Sequence, residues 1–196
     1  MSIIKNKEWK HFTLFLFEIV IINYLTKNRQ KYIIEKEILK NKREKDMDKW
    51  DERFMQLAET VAEWSSCFQS NRHVGAVCVK DKRILTTGYN GAPEGIKSCA
   101  QRGECLRRIK NIASGTMQEV CYAVHAEQNA IIQAAKLGVS LEGSTMYVTH
   151  QPCIICTRMI INSGVKKVIY KNGYPDDFAV ELFKQSGVAL VNFADC

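Results

Sequence analysis

The stretch from His125 to Cys156, HAEQNAIIQAAKLGVSLEGSTMYVTHQPCIIC, decides how the rest of the chain folds. Its first part predicts a helix from about His125 to Leu137, stopped by Gly138, since glycine readily takes the left-handed backbone that ends a helix. A strand over Thr145–Thr149 follows, then a helix over Cys153–Ser163 stopped by Gly164. Toward the C-terminus the pattern repeats, with a strand (Val165–Tyr170), a helix (Asp176–Ser186, stopped by Gly187) and a strand (Val188–Phe193). Strands that alternate with helices pair in parallel through right-handed crossovers. Toward the N-terminus, the apolar runs Val74–Val79 and Ile84–Tyr89 flank the polar turn Lys80-Asp81-Lys82-Arg83, a hairpin signal. Before them, Phe54, Leu57, Ala58, Val61 and Ala62 recur at helical spacing, so residues 49–66 read as an amphipathic helix. The segment from 90 to 120 reads as irregular. The expectation is a three-layer α/β/α fold, a mixed sheet of about five strands with helices on both faces and no internal repeat.

The bulk properties agree with one domain of ordinary size. Of 196 residues, 46% are apolar and 25% charged, the balance of a soluble globular protein. The formal charge of +7 is unevenly spread. Residues 1–46 hold 11 Lys and Arg against 6 Asp and Glu, whereas residues 47–196 hold 17 against 15. A broad polyanion-binding face on the main domain is therefore not indicated. No small-residue cleavage site follows the apolar run near the start, so the chain is expected to be cytoplasmic. Eight cysteines without an export signal point to metal ligation rather than disulfides.

Residues 1–46 differ in character from the rest and are set apart as an atypical N-terminal extension; residues 47–196 form the main domain. The 14-residue run Phe12–Leu25, interrupted by Glu18, is shorter than the roughly 20 residues needed to cross a bilayer. A membrane-surface helix, an extra helix on the domain, and sequence upstream of the true start all fit it. The last is favoured: Arg43–Glu44 can be encoded by a purine-rich ribosome-binding sequence, and only Lys45 and Asp46 separate it from Met47.

Two short motifs carry chemistry. His125-Ala126-Glu127 opens one predicted helix, and Pro152-Cys153-Ile154-Ile155-Cys156 opens another. Zinc prefers nitrogen and sulfur donors in a tetrahedron, and a catalytic site gives it three protein ligands and leaves the fourth position to water. Cys153 and Cys156, three apart at a helix start, turn both sulfurs toward one point, and the positive helix end favours their thiolates. Pro152 suits the first turn, where its missing N–H costs nothing. His125 is the third candidate ligand. Glu127 lies within reach of the water rather than the metal. H-x-E followed by P-C-x-x-C is the general signature of zinc nucleobase deaminases. A closed structural zinc site would want a fourth protein ligand and gives no reason for Glu127 or Pro152.

From Val74 to the C-terminus the chain resembles the cytidine and deoxycytidylate deaminase family, and looks most like the bacterial dCMP deaminases. The resemblance rests on Val74-Gly75-Ala76-Val77, Gly88-Tyr89-Asn90-Gly91-Ala92-Pro93, His125 to Ile131, and Tyr147 to Cys153. It implies hydrolysis of dCMP to dUMP and ammonia, with hydroxide attacking C4 at the zinc and Glu127 acting as base and then acid. By the same resemblance Asn90 meets the sugar, against the alternative of a left-handed turn before Gly91. Arg72 is a candidate for the phosphate, against an ordinary solvated arginine. Tyr174 is a candidate for lining the pocket. Cys67, Cys99, Cys105 and Cys121 resemble the ligands of a second, structural zinc found in some family members, against scattered free thiols. Such sites often include histidine, whereas here only cysteine or His73 is on offer. Cys78 and Cys196 read as bystanders. The resemblance also implies a homo-oligomer, a hexamer, and control by dCTP and dTTP, with no nucleic-acid polymer and no membrane as partner. A tRNA- or polynucleotide-editing deaminase and a non-enzymatic competence-associated protein are the competing functions. The first needs a basic groove; the second has no use for Glu127.

Overall fold

A computed structural model describes residues 49–113, 116–173 and 176–195, all within one compact unit of the chain, Met47–Cys196. The N-terminal extension, Tyr174 and Cys196 lie outside the described residues. In chain order the regular elements are α1 (Lys49–Ala62), β1 (Gly75–Lys80), β2 (Arg83–Tyr89), the short helices α2 (Cys99–Arg102) and α3 (Leu106–Ile109), α4 (Ala126–Leu137), β3 (Thr145–His150), α5 (Ile154–Asn162), β4 (Lys167–Asn172), α6 (Asp177–Ser186) and β5 (Ala189–Asn192).

The five strands form one mixed sheet in the order β2-β1-β3-β4-β5. β1 pairs antiparallel with both β2 and β3, while β3, β4 and β5 run parallel. The hairpin turns on Asp81 and Lys82, both left-handed at φ 50° and 61°. That backbone matches the twist of the flanking strands without the glycine such turns usually recruit. Alternation along the strands sorts the core into two layers. Val77, Val79, Tyr147 and Ile169 face α1 and its Phe54, Met55, Ala58 and Val61. Ala76, Cys78, Met146, Val148 and Val168 face the opposite way, against Ala126, Ala130 and Ala134 of α4, Cys156 and Ile160 of α5, and Phe183 of α6. The Tyr147 hydroxyl reaches through the first layer to donate to buried Asp51 of α1. Among the described residues no helix is long and apolar enough to cross a membrane.

The elements depart from expectation where side chains redirect the backbone. α1 stops at Ala62 rather than near residue 66, because Ser65 donates to the Asn90 carbonyl (2.9 Å) and Ser66 accepts from the Ala92 N–H (3.3 Å). β4 extends to Asn172, whose carbonyl accepts from Gln151 N–H (2.9 Å) and whose amide donates to the Thr149 carbonyl (2.8 Å). The 90–120 segment contains two short helices, α2 being set by a capping box of Ser98 and Gln101 and ended by left-handed Gly103.

Close approach fixes how α4 seats on the sheet. A methyl group added at Gly88 would stand 2.2 Å from the Ala126 carbonyl oxygen and 2.4 Å from the Ala130 nitrogen. Both are backbone atoms, so the helix itself has to move. Gly88→Ala is expected to destabilise the domain by about 1–3 kcal/mol through overpacking, read as a lowered urea midpoint, with a matching loss of metal affinity because α4 carries His125.

Candidate active site

Two chain segments converge at the start of α4 and of α5. After β2, an isolated bridge between Gly91 and Val124 brings the chain to His125, the N-cap of α4. After β3, Gln151 and Pro152 lead to Cys153, the N-cap of α5. His125 is fixed by its own N–H, which donates to the Gln128 side chain at 2.9 Å. The strands thus end where the two helices begin, so side chains from both helix starts meet.

His125 Nδ1 lies 3.6 Å from Cys153 Sγ and 3.3 Å from Cys156 Sγ. Among the described residues these three are the one group of His, Cys, Asp and Glu donors whose ligand atoms all fall within 4.8 Å of one another. One nitrogen and two sulfurs at this spacing fit a zinc ion with one position left open. Glu127, one residue inside α4, is only 4% exposed. Burial pushes its carboxyl above the ordinary range, outweighing the favourable His125 charge. The hydrogen bond to Cys153 raises the His125 imidazole against the opposing effect of burial. Hydrogen bonding from Cys156, then His125, lowers Cys153 to about 4 despite burial, while that same pairing, burial and Glu127 hold Cys156 well up.

His125, Glu127 and Cys153 line a cavity of about 270 Å³. Its wall also holds Arg72, Asn90, Arg107, His150 and Gln151. Asn90 braces that wall: its Oδ1 accepts from the Val74 N–H and its Nδ2 donates to the Arg72 carbonyl, each at 2.8 Å. It is not among the left-handed residues, so the turn alternative does not hold. Arg72 borders the cavity with its side chain exposed to solvent. Burial and then the Arg72 charge lower the His150 imidazole, favouring its neutral form. Arg107 ties the carbonyls of Ala113, Thr116 and Met117 together through its guanidinium. Sequence reasoning missed Arg107 and His150. In the run Leu106-Arg107-Arg108-Ile109-Lys110 nothing separates an internal fork from a solvated charge.

The four other candidate ligand cysteines are neighbours, and none is in a disulfide. Burial raises Cys67 and Cys99, and the nearby sulfurs, Cys121 and Cys105 among them, raise both further. At Cys105 burial is the largest influence and pushes upward, but the Arg108 N–H, the Gln69 amide and the Arg107 N–H together hold the thiol low. The Gln69 amide donates to Cys105 Sγ at 3.3 Å. No three of these sulfurs are gathered within the 4.8 Å limit met by the first group.

Asn90→Ala leaves the Val74 N–H and the Arg72 carbonyl without their side-chain partners. A loss of about 1–3 kcal/mol is expected, mostly from the part-buried Val74 N–H, since the Arg72 carbonyl can turn to water, checked by urea unfolding alongside a wild-type control.

The family profile described as the cytidine and deoxycytidylate deaminase zinc-binding region matches residues 48–172. Deoxycytidylate deaminase of Mycobacterium phage D29 is 41% identical over 126 residues, covering 62% of this chain and 93% of that protein. ComE operon protein 2 of Bacillus subtilis (strain 168) is 40% identical over 142 residues, covering 72% of this chain and 69% of that one. Among solved structures, dCMP deaminase from cyanophage S-TIM5 in complex with dCMP and dUMP is similar with a TM-score of 0.60 at 32% identity, covering 75% of this chain and 98% of that chain. With the sheet order, the converging helix starts and this match in view, the chain belongs to the cytidine and deoxycytidylate deaminase family.

Proposed function

We propose that the chain hydrolyses dCMP to dUMP and ammonia, with residues 47–196 as the catalytic domain and Glu127 as the proton-carrying group. The observation that carries this is a buried carboxyl of raised proton affinity lining the same cavity as His125 and Cys153, two of the three grouped donors His125, Cys153 and Cys156. His125 Nδ1 and the two sulfurs would hold zinc, which when bound activates a water for attack at C4 of cytosine. Glu127 takes a proton from that water and delivers it to ring N3; it then takes the proton of the hydroxyl now on C4 and passes it to the amino group, which leaves as ammonia while the C4 carbonyl forms. Its raised affinity suits both directions of transfer. Asn90 fixes the backbone of Arg72, and its amide has a second hydrogen with which to meet the sugar. Arg72 is assigned to the phosphate, and Tyr174, outside the described residues, stays a candidate for lining the pocket. The phage D29 and S-TIM5 relatives support the nucleotide monophosphate as substrate.

Two additions belong to this proposal. Cys67, Cys99, Cys105 and Cys121 hold a second, structural zinc, supported by the N–H donors aimed at Cys105 and by the mutual influence of the sulfurs. A bound zinc would draw the four together, since tetrahedral ligands at the usual Zn–S length sit about 3.8 Å apart. The protein also assembles into a homo-oligomer, a hexamer by resemblance, under dCTP and dTTP control, which sedimentation with and without the nucleotides examines. A polynucleotide substrate is disfavoured by the near balance of charge over residues 47–196. A non-enzymatic role gives buried Glu127 no purpose.

Ammonia release from zinc-replete protein, offered dCMP, CMP, deoxycytidine and dCTP separately, tests the substrate. Turnover is expected on dCMP, and Glu127→Ala should lower it by at least about 10²–10⁴-fold; silence on all four substrates overturns the activity. Metal analysis of the same preparation is expected to give about two zinc ions per chain, and a value near one removes the structural site.

A further inference from the structure

The helix that carries both cysteines lacks the cap such a helix start normally has. Cys153 is the N-cap of α5, yet its side chain makes no capping bond; its sulfur is turned toward His125 and Cys156. The first N–H groups of a helix have no partner within it, and an N-cap oxygen usually satisfies one of them. Here the Ile154 N–H, the first of α5, donates to Asp176 Oδ2 at 2.9 Å. The other carboxylate oxygen of Asp176 accepts from the Ala179 N–H at 3.0 Å and so caps α6. One carboxylate therefore ties together the starts of two helices, reaching across 22 residues of sequence.

We propose that Asp176 is a positioning residue for the metal-binding cysteines, acting through the Cys153–Ile154 peptide. This rests on the zinc reading of the His125–Cys153–Cys156 group. The Ile154 N–H lies in the plane of the peptide that follows Cys153, so fixing its direction fixes ψ of Cys153, which stands at 169°. With ψ and the N-cap backbone set, the Cα–Cβ bond of Cys153 aims its sulfur at the point where Cys156 and His125 converge. A carboxylate also suits the positive end of a helix, so it performs this task at a favourable electrostatic position. Outer groups that orient metal ligands typically alter affinity by about 10–100-fold when removed.

The test removes the bond from each side. Asp176→Ala deletes the acceptor. Ile154→Pro deletes only the donor, because proline suits the first helical position and the extended backbone of Cys153 (φ −73°, ψ 169°) tolerates a following proline. Zinc affinity is read by competition with a chromophoric chelator, and ligand geometry by the thiolate-to-metal absorption of the Co²⁺-substituted full-length protein. Each single variant is expected to weaken zinc binding by about 10–100-fold and to shift the cobalt band. The double variant should be no weaker than the worse single one, and Asp176→Asn, which keeps one oxygen acceptor, should fall in between. Wild-type affinity and an unshifted band in both single variants overturn the brace, as do fully additive losses in the double variant. Should Asp176→Ala fail to fold for want of the α6 cap, Ile154→Pro leaves that cap intact and decides alone. A wild-type chain that binds neither zinc nor cobalt overturns the metal reading itself, and the brace with it.

Discussion

A ring nitrogen and two sulfurs confined within 4.8 Å of one another, with a carboxyl buried beside them, cannot be supplied by one helix. Two cysteines three apart on a helix start present two donors on one face. The third has to arrive from elsewhere, and here it comes from a second helix start. Both helices begin at the same small volume, and the positive end of a helix favours a thiolate such as that of Cys153. That favourable field is available only while the two ends stay close, so the position of α4 against α5 governs everything at the site.

The sheet enforces that position. β3 hands the chain to Cys153 within a few residues, while β2, two strands away across β1, leads back through the Gly91–Val124 bridge to His125. For α4 to lie low enough on β1 and β2, its backbone must nearly touch Gly88, where no side chain fits. On the opposite face Gly75 plays the same part for α1, since a methyl group there would stand 2.0 Å from the Ala58 carbonyl oxygen. The two glycines set the thickness of the three layers. Tyr147 and Asp51 then join α1 to the strand that leads into the cysteines.

The general plan was legible because its signals are local. Glycines at 138, 164 and 187 marked helix ends and all three take left-handed conformations. The hairpin and the parallel half of the sheet followed from the spacing of apolar runs, and the ligand candidates from short motifs at helix starts. Other features were hidden for a physical reason. Asn90 read as a candidate sugar contact or a turn residue, and nothing in the sequence showed that its amide joins Val74 to Arg72. Asp176 reads in sequence as the cap of its own helix, and its second oxygen gives no sign of reaching Ile154. The S-x-x-Q capping box at Ser98 was present in the sequence, but glycine and polar residues around it obscured a helix of four residues. What sequence conceals is side chains whose partners lie far along the chain.

The proton affinity of Glu127 belongs to this same architecture. Burial is the leading cause of its upward shift, and Cys153 adds to it, while His125 pulls the other way. A carboxyl raised by burial is also one shielded from bulk water, so the wall that shapes the cavity tunes the group within it. Arg107, holding the carbonyls of Ala113, Thr116 and Met117, and Asn90, holding the 72–74 backbone, contribute to that wall without belonging to the donor set. The shape of the space beside Glu127 is thereby set in part by residues outside the group that would hold the metal.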